Sequence, residues 1–344
     1  MKRGIIRNLL FASALAFSSS SCCTNVRDDV PAPKNVQPSY VPRQKPEYSQ
    51  PYTLKGYNGN PVTKYAIVVV GSSRGEKGDE YYDPIDKNLF WLNATYTYRH
   101  LEELGFKHWN IYFLYADGKP DFDEPLNRET IEKIKRDEFN EPASKKMATI
   151  NNLEGIVDHL SKKVDGNDVF VTVISTHGSS SSLEMHGGIF GDSLDPSRLD
   201  AMMRKVKPGL GLLYVDACHS GSYIKKLKLD DYVVISGTEE HTNGWGDRDF
   251  ASSRFFFENL LDPESDINVD GKITVNEAFD RTKKESLDHM KRINDYLLHK
   301  YNWKAEGGTA ESLKGMSVIP MIRIGRNVSG TFYLVDLMPH YKPL

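Results

Sequence analysis

The sequence predicts an α/β fold in which a mostly parallel central sheet lies between two layers of helices. Two observations carry that prediction. Val169-Phe170-Val171-Thr172-Val173-Ile174 and Leu210-Gly211-Leu212-Leu213-Tyr214-Val215 are continuous apolar runs, the pattern of strands buried on both faces. Between such runs lie segments whose apolar residues recur at helical spacing, and strands alternating with helices mark parallel crossovers. The 344 residues allow one large domain or two small ones, and a composition 39% hydrophobic and 26% charged is that of an ordinary globular chain.

In chain order, residues 65–70 form the first strand and end at Gly71-Ser72-Ser73-Arg74-Gly75. A polar loop to about residue 88 precedes a helix on which Leu89, Leu92, Tyr96, Leu101 and Leu104 share a face, closed by Gly105. Residues 110–115 are the second strand, and 116–147 a polar surface excursion. Residues 150–164 are helical, with Leu153, Ile156, Val157 and Leu160 on one side. The third strand runs into Ser175-Thr176-His177-Gly178-Ser179 and a Gly/Ser-rich hairpin that carries His186. A helix over 196–206 leads to the strand that delivers Asp216-Ala217-Cys218-His219-Ser220-Gly221-Ser222. A short helix and a strand over 232–236 follow. Residues 250–303 are mostly helical around one special loop, and 318–324 and 331–337 are candidate edge strands.

The amino terminus has a different character. Lys2, Arg3 and Arg7 flank a short apolar stretch (9–17) followed by serines 18–21, then Cys22-Cys23. This is the pattern of a bacterial secretory signal over 1–22. A cysteine directly after small residues matches a lipoprotein processing site, with Ser19 where that site usually has Leu; plain cleavage and release is the alternative. The expectation is an exported protein, either an outer-membrane or cell-surface lipoprotein anchored to the membrane through Cys22, or a periplasmic or secreted one. Residues 23–60, rich in Pro, Gln, Ser, Tyr and Lys, read as a flexible tether or pro-segment, and 61–344 as the folded domain. No internal run approaches membrane-spanning length, and a net charge of −3 gives no footprint for nucleic acid. With two of the three cysteines at the processing site, Cys218 is left as a solitary interior thiol without a disulfide framework.

That thiol is well placed for chemistry. Two buried strands offer Cys218 and His177 at the same end, and sites in open α/β sheets form beyond the carboxyl ends of the strands. Such a pair serves as nucleophile and proton partner. The small Gly178 leaves its amide free to face a substrate carbonyl, and the Cys218 amide supplies a second donor, together an oxyanion hole. Gly221 permits a tight turn into a helix whose amino end favours negative charge near the sulfur. His186 follows no apolar run and reads as a hairpin residue. His219, in an extended segment, points away from the nucleophile. Asn93-Ala94-Thr95 and Asn327-Val328-Ser329 fit a glycosylation sequon that a bacterial-type signal leaves idle.

A strand ending in His-Gly, followed by a strand ending in [Asp/Glu]-Ala-Cys-x-Ser-Gly-Ser, resembles the caspase-like cysteine peptidases, and within them the legumain family, which includes the GPI transamidase catalytic subunit. The resemblance covers residues 64–260 and includes Gly71-Ser72-Ser73-Arg74, Asn93-Ala94-Thr95-Tyr96 and Leu104-Gly105-Phe106. It implies a caspase-like α/β/α sandwich, polypeptide substrates, Cys218 as nucleophile, His177 as dyad histidine, and the Gly178 and Cys218 amides as oxyanion hole. Where the family carries Asn-Tyr-Arg-His before the first helix, this chain reads Lys87-Asn88-Leu89-Phe90. The pocket arginine is therefore missing, and Asn88 is left as candidate for a third catalytic residue. Asp216 occupies the other pocket position. A carboxylate without an arginine favours cleavage after Lys or Arg, whereas Arg74 as its partner would restore an amide-like pocket for Asn. The expected activity is a cysteine endopeptidase working through a thioester. The alternatives are a transpeptidase or transamidase using the same acyl-enzyme, and a non-catalytic calcium-binding surface protein.

A second motif stands apart. Asp266, Asn268 and Asp270 fall at positions 1, 3 and 5 of a twelve-residue EF-hand loop, Gly271 at 6, Lys272 (backbone carbonyl) at 7, Thr274 at 9 and Glu277 at 12. Apolar Ile273 at position 8 fits as well, and helices are expected over 255–261 and 277–301. The expected ion is Ca2+, as structural clip or as activator; no organic cofactor is expected.

Overall fold

The computed structural model describes residues 62–71, 84–116, 118, 147–186, 193–244, 251–269, 271, 273–301 and 319–326. Strand β1 (Lys64–Val70) is followed by helix α1 (Pro84–Glu103), β2 (Ile111–Tyr115), α2 (Ile150–Leu160), β3 (Val169–Ser175) and the small hairpin β4 (Leu183–Glu184) and β5 (Ser193–Leu194). Then come α3 (Pro196–Met203), β6 (Leu210–Asp216), α4 (Gly221–Lys226), β7 (Tyr232–Ser236), α5 (Ser252–Asn259), α6 (Val275–Tyr301) and β8 (Met321–Ile324). The central sheet has the order β2-β1-β3-β6-β7-β8 and is parallel except for β8, which pairs antiparallel to β7 at one edge. Residues 331–337, the other expected edge strand, lie outside the described residues.

The inner strands β1, β3, β6 and β7 are apolar on both faces because each face has its own core. Ala66, Val68, Val171, Val173, Leu212, Tyr214 and Ile235 point to one side, against Ala94, Tyr98 and Leu101 of α1, Phe256 and Phe257 of α5, and Ala278 and Phe279 of α6. Ile67, Val69, Phe170, Ile174, Leu213, Val215 and Val234 point to the other, against Leu153, Ile156, Val157 and Leu160 of α2, Leu199 and Met202 of α3, and Tyr223 and Ile224 of α4. Period-2 alternation along strands with both faces covered makes the expected three-layer α/β/α sandwich.

Local signals set most of the boundaries. Thr149 caps α2 by accepting a hydrogen bond from Asn152 N at 3.2 Å, and Asp195 caps α3 by accepting from Ser197 N and Arg198 N, with Pro196 next in line. Gly105 ends α1 at φ +86°, and Phe106 N donates back to Leu101 O at 3.0 Å, a glycine C-cap. α1 starts at Pro84, earlier than its apolar period announces, because proline's fixed φ suits the first helical position. Tyr96, expected on its buried face, is half-exposed and lies under the Arg254 guanidinium at 3.9 Å from the ring centroid. Gly211, in mid-strand, makes room for Tyr232: a Cβ there would meet that ring at 2.4 Å. The Tyr232 hydroxyl donates to the carbonyls of Met203 and Val206 at the end of α3.

Candidate active site

The parallel register brings the two reactive residues together. Ser175 pairs with Asp216, and Thr176 N donates to Asp216 O at 3.1 Å, so the β3–β6 ladder continues one residue past β3. His177 and Cys218 each lie two residues beyond the paired positions, on strands spaced about 4.8 Å apart. Both are buried, 2% and 4% exposed. The His177 ring meets Phe90 of α1 edge-to-face, with centroids 5.0 Å apart. Phe90 belongs to the segment that departs from the legumain pattern, and its contact was not legible in the sequence.

Gly178 pairs with Leu183 in an isolated antiparallel bridge, and the flanking bonds run from Glu184 N to His177 O and from Ser179 N to Ser182 O. In this kind of pair the central residue's own N–H points away from the hairpin. A Cβ at Gly178 would lie 2.9 Å from Cys218 O and 3.0 Å from the Ala217 Cβ, so only glycine lets this backbone approach the Cys218 segment so closely. These contacts put the predicted oxyanion-hole residues side by side.

The segment after β7 wraps the nucleophile. Thr238 Oγ1 donates to Ala217 O at 3.2 Å, Ser220 N donates to Thr238 Oγ1 at 3.2 Å, and Thr238 N donates to Ser220 Oγ at 3.2 Å. His219 N donates to Thr242 O at 2.9 Å, and Gly244 N donates to Cys218 Sγ at 3.2 Å. Sequence reasoning did not foresee this strap, because nothing local marks a contact made 26 residues away. It corrects two expectations. Gly221 does not have positive φ; it is needed because a Cβ there would meet Glu240 N at 2.5 Å, so its smallness admits the strap rather than a turn. His219 is not extended: its φ is +57°, and its Nδ1 lies 3.2 Å from Glu240 O. The backbone donor at Sγ is the Gly244 amide of the strap; α4 has only six residues, and its N-cap residue makes no side-chain capping bond.

The solitary-thiol expectation is also corrected. Cys218 is disulfide-bonded, and the other half of that bond lies outside the described residues. The chemistry argued below is that of the reduced thiol.

Asp216 is part-exposed at the end of β6. Its Oδ2 accepts from Ser253 N at 2.9 Å and Ser253 Oγ at 2.5 Å, at the start of α5. Its Oδ1 faces Gly237, whose absent side chain leaves that oxygen clear: a Cβ there would lie 2.4 Å away. Burial pushes the carboxyl above the ordinary carboxylate range, against the two bonds from Ser253. Arg74 lies outside the described residues, so its pairing with Asp216 is not on view. Asn88 lies within α1. His186 stands just after β4, as expected of a hairpin residue. Asn93 is 4% exposed inside α1, so burial closes its sequon. Asn327 lies outside the described residues.

In the predicted calcium loop, Asp266 Oδ2 accepts from Gly271 N at 2.8 Å. Glu277 accepts from Thr274 N and Thr274 Oγ1, both at 2.8 Å, and Thr274 Oγ1 accepts in turn from Glu277 N at 3.0 Å, a reciprocal cap at the start of α6. Glu277 also reaches Asn268 N at 3.4 Å. Val269 and Gly271 have φ of +57° and +79°. Asp270 and Lys272 lie outside the described residues, and among the described residues no three His, Cys, Asp or Glu side chains gather closely enough to hold a metal. The flanking helices differ from expectation by a few residues: α5 ends at Asn259 and α6 already starts at Val275, because the Thr274–Glu277 cap initiates it before Glu277.

No curated protein matches the chain. A family model for the Peptidase C13 family matches residues 64–305, from the first residue of β1 to just past α6. It takes in both strand ends, the strap and the 266–277 loop. A mostly parallel sheet that carries His-Gly and Asp-Ala-Cys on adjacent strand ends, matched over that span, belongs to the Peptidase C13 family, the legumain and GPI transamidase group of caspase-like cysteine peptidases.

Proposed function

We propose that the chain is a cysteine endopeptidase in which Cys218 and His177 form the catalytic dyad. Membership of the family implies cysteine peptidase or transamidase chemistry on polypeptides. The observation that carries the assignment is the matched exit of both residues from the paired strands β3 and β6. The Cys218 thiolate attacks the scissile carbonyl, and the C–N bond breaks as the leaving amine takes a proton from His177. Water then hydrolyses the thioester, giving a proton to His177 as the sulfur leaves, which restores the thiolate and the protonated imidazole. The Gly178 and Cys218 amides hold the oxyanion, each such donor contributing about 3 kcal/mol of barrier lowering. Asp216 Oδ1, which takes no hydrogen bond among the described residues, selects Lys or Arg at the residue before the cut.

An acyloxymethyl ketone with Lys before the warhead tests this. Reduced wild type is expected to label at Cys218, Cys218→Ala not at all, and unreduced protein only weakly. His177→Ala is expected to lose turnover of a Lys peptide while retaining its fold by circular dichroism. Labelling that ignores Cys218→Ala overturns the assignment. Capture of the acyl group by an added amine in preference to water replaces hydrolysis with transfer.

We also propose that residues 266–277 bind Ca2+. Support comes from the oxygen-ligand pattern of the loop and from Asp266 and Glu277 already turned inward onto its backbone. Calcium at 100 times its dissociation constant should stabilise the chain by about 2.7 kcal/mol. Glu277→Gln is expected to abolish both that rise in melting temperature and Tb3+ luminescence. A wild type indifferent to calcium in both measurements removes the site. Export through residues 1–22, with lipid on Cys22, is proposed from the leader sequence; Cys22→Ala is expected to move the protein from the membrane to the soluble fraction.

A further inference from the structure

The strap over residues 237–244 puts a backbone donor directly on the sulfur, and the residues that hold it there have no other evident task. Gly244 N donates to Cys218 Sγ at 3.2 Å, seen here with the sulfur in its disulfide form. Four further ties fix the strap to residues 217–220: Thr238 Oγ1 to Ala217 O, Ser220 N to Thr238 Oγ1, Thr238 N to Ser220 Oγ, and His219 N to Thr242 O. His219 is one of only three described non-glycine residues with positive φ. That left-handed backbone, uncommon outside glycine but one that histidine adopts more readily than most side chains, lets its amide reach Thr242 while its Nδ1 sits against Glu240 O at 3.2 Å.

We propose that the Gly244 amide stabilises the Cys218 thiolate, and that His219 is a positioning residue that holds this amide on the sulfur. The proposal rests on Cys218 being the nucleophile and adds a source for its acidity other than His177. A hydrogen bond to an ionised acceptor is stronger than to a neutral one, so a fixed N–H lowers the thiol's pKa. Around Cys218, His177 lies on the β3 side, Asp216 on the same strand as Cys218, and Glu239, Glu240 and His241 on the strap. Glu240 is offset by Lys225 of α4, and the strap amide is the donor placed on the sulfur itself.

The experiment uses the reduced full-length chain and reads the pH dependence of Cys218 alkylation by iodoacetamide, so it does not depend on peptidase activity. Gly244→Pro removes the N–H; Gly244→Ala keeps it. The alkylation midpoint of Gly244→Pro is expected to rise by about one unit, roughly tenfold less thiolate at pH 6, with Gly244→Ala close to wild type. His219→Gly, which keeps the left-handed backbone and loses the imidazole, is expected to fall between them. Wild type labelled with 15N-glycine supplies a reading that needs no destabilising variant. The Gly244 amide proton should shift with the alkylation midpoint, and Cys218→Ala should abolish the shift. Coincident midpoints in the three Gly244 forms, or an amide proton indifferent to pH, overturn the proposal. A normal thiolate shift without any peptide cleavage leaves the amide's role standing and instead overturns the peptidase reading.

Discussion

At Asp216 one carboxylate oxygen is held and, among the described residues, the other is not. Ser253 takes Oδ2 with its amide and hydroxyl, while Oδ1 looks past Gly237. Burial raises the carboxyl's pKa, and for an acid the raised value means that the folded protein keeps its proton to higher pH than the unfolded chain. Only the ionised form attracts a cationic side chain. KM for Lys and Arg peptides is therefore expected to rise as pH falls through that raised value, with kcat changing less. Asp216→Asn should remove the pH dependence and bind such peptides poorly throughout. Ser253→Ala, which loses a bond to the charged form, should move the KM profile to higher pH, measured by steady-state kinetics between pH 4 and 8. The position of Asp216 at the end of β6 was legible from the apolar run that precedes Ala-Cys. Its partner Ser253 was not, because that contact spans 37 residues and depends on where α5 docks.

The elements were legible wherever one physical signal dominated. Strands β1, β3, β6 and β7 are doubly buried and declare themselves as unbroken apolar runs. α2 shows a clean amphipathic period and a threonine cap. The start of α1 was missed because the apolar helical period in the sequence begins only at Leu89, although Pro84 was an available signal. The packing of α5 on α6 depends on polar groups with no sequence signature. Arg281 bridges Asp262 at 3.1 Å, Glu264 at 2.9 Å and Glu285 at 3.1 Å, while the buried Asn259 donates to Thr282 and Glu285. Since Arg281 is only 19% exposed, its network outranks a surface pair, and Arg281→Ala is expected to cost about 1–2 kcal/mol in urea denaturation. A loss within 0.3 kcal/mol, roughly the scatter of such measurements, would show that apolar contacts alone join the two helices.

Across the whole molecule, stability should carry a pH signature from one buried cation. Lys64 opens β1, is 8% exposed, and donates from Nζ to Leu104 O at 2.7 Å, at the end of α1. Burial, with Lys107 adding to it, lowers its pKa from 10.5 to about 7. Between these values the unfolded chain holds a proton that the folded chain has released, so stability rises with pH across that window and falls as pH drops back toward 7. Relative to Lys64→Met, wild type is expected to gain up to about 1.4 kcal/mol per pH unit between pH 7.5 and 9.5. Denaturant melts at matched pH values measure the difference; parallel curves would show that Lys64 keeps its charge when folded.

The Gly211–Tyr232 pair binds two positions into a single unit of heredity. The phenol occupies space that any side chain at 211 would claim, and its hydroxyl fastens the end of α3. Neither residue is free to drift alone: enlarging the first evicts the ring, and shrinking the second opens a void beneath the helix. Relatives that bear a side chain at the first position should therefore carry something slimmer than tyrosine at the second, and a chain altered at both together should tolerate what a chain altered at one does not.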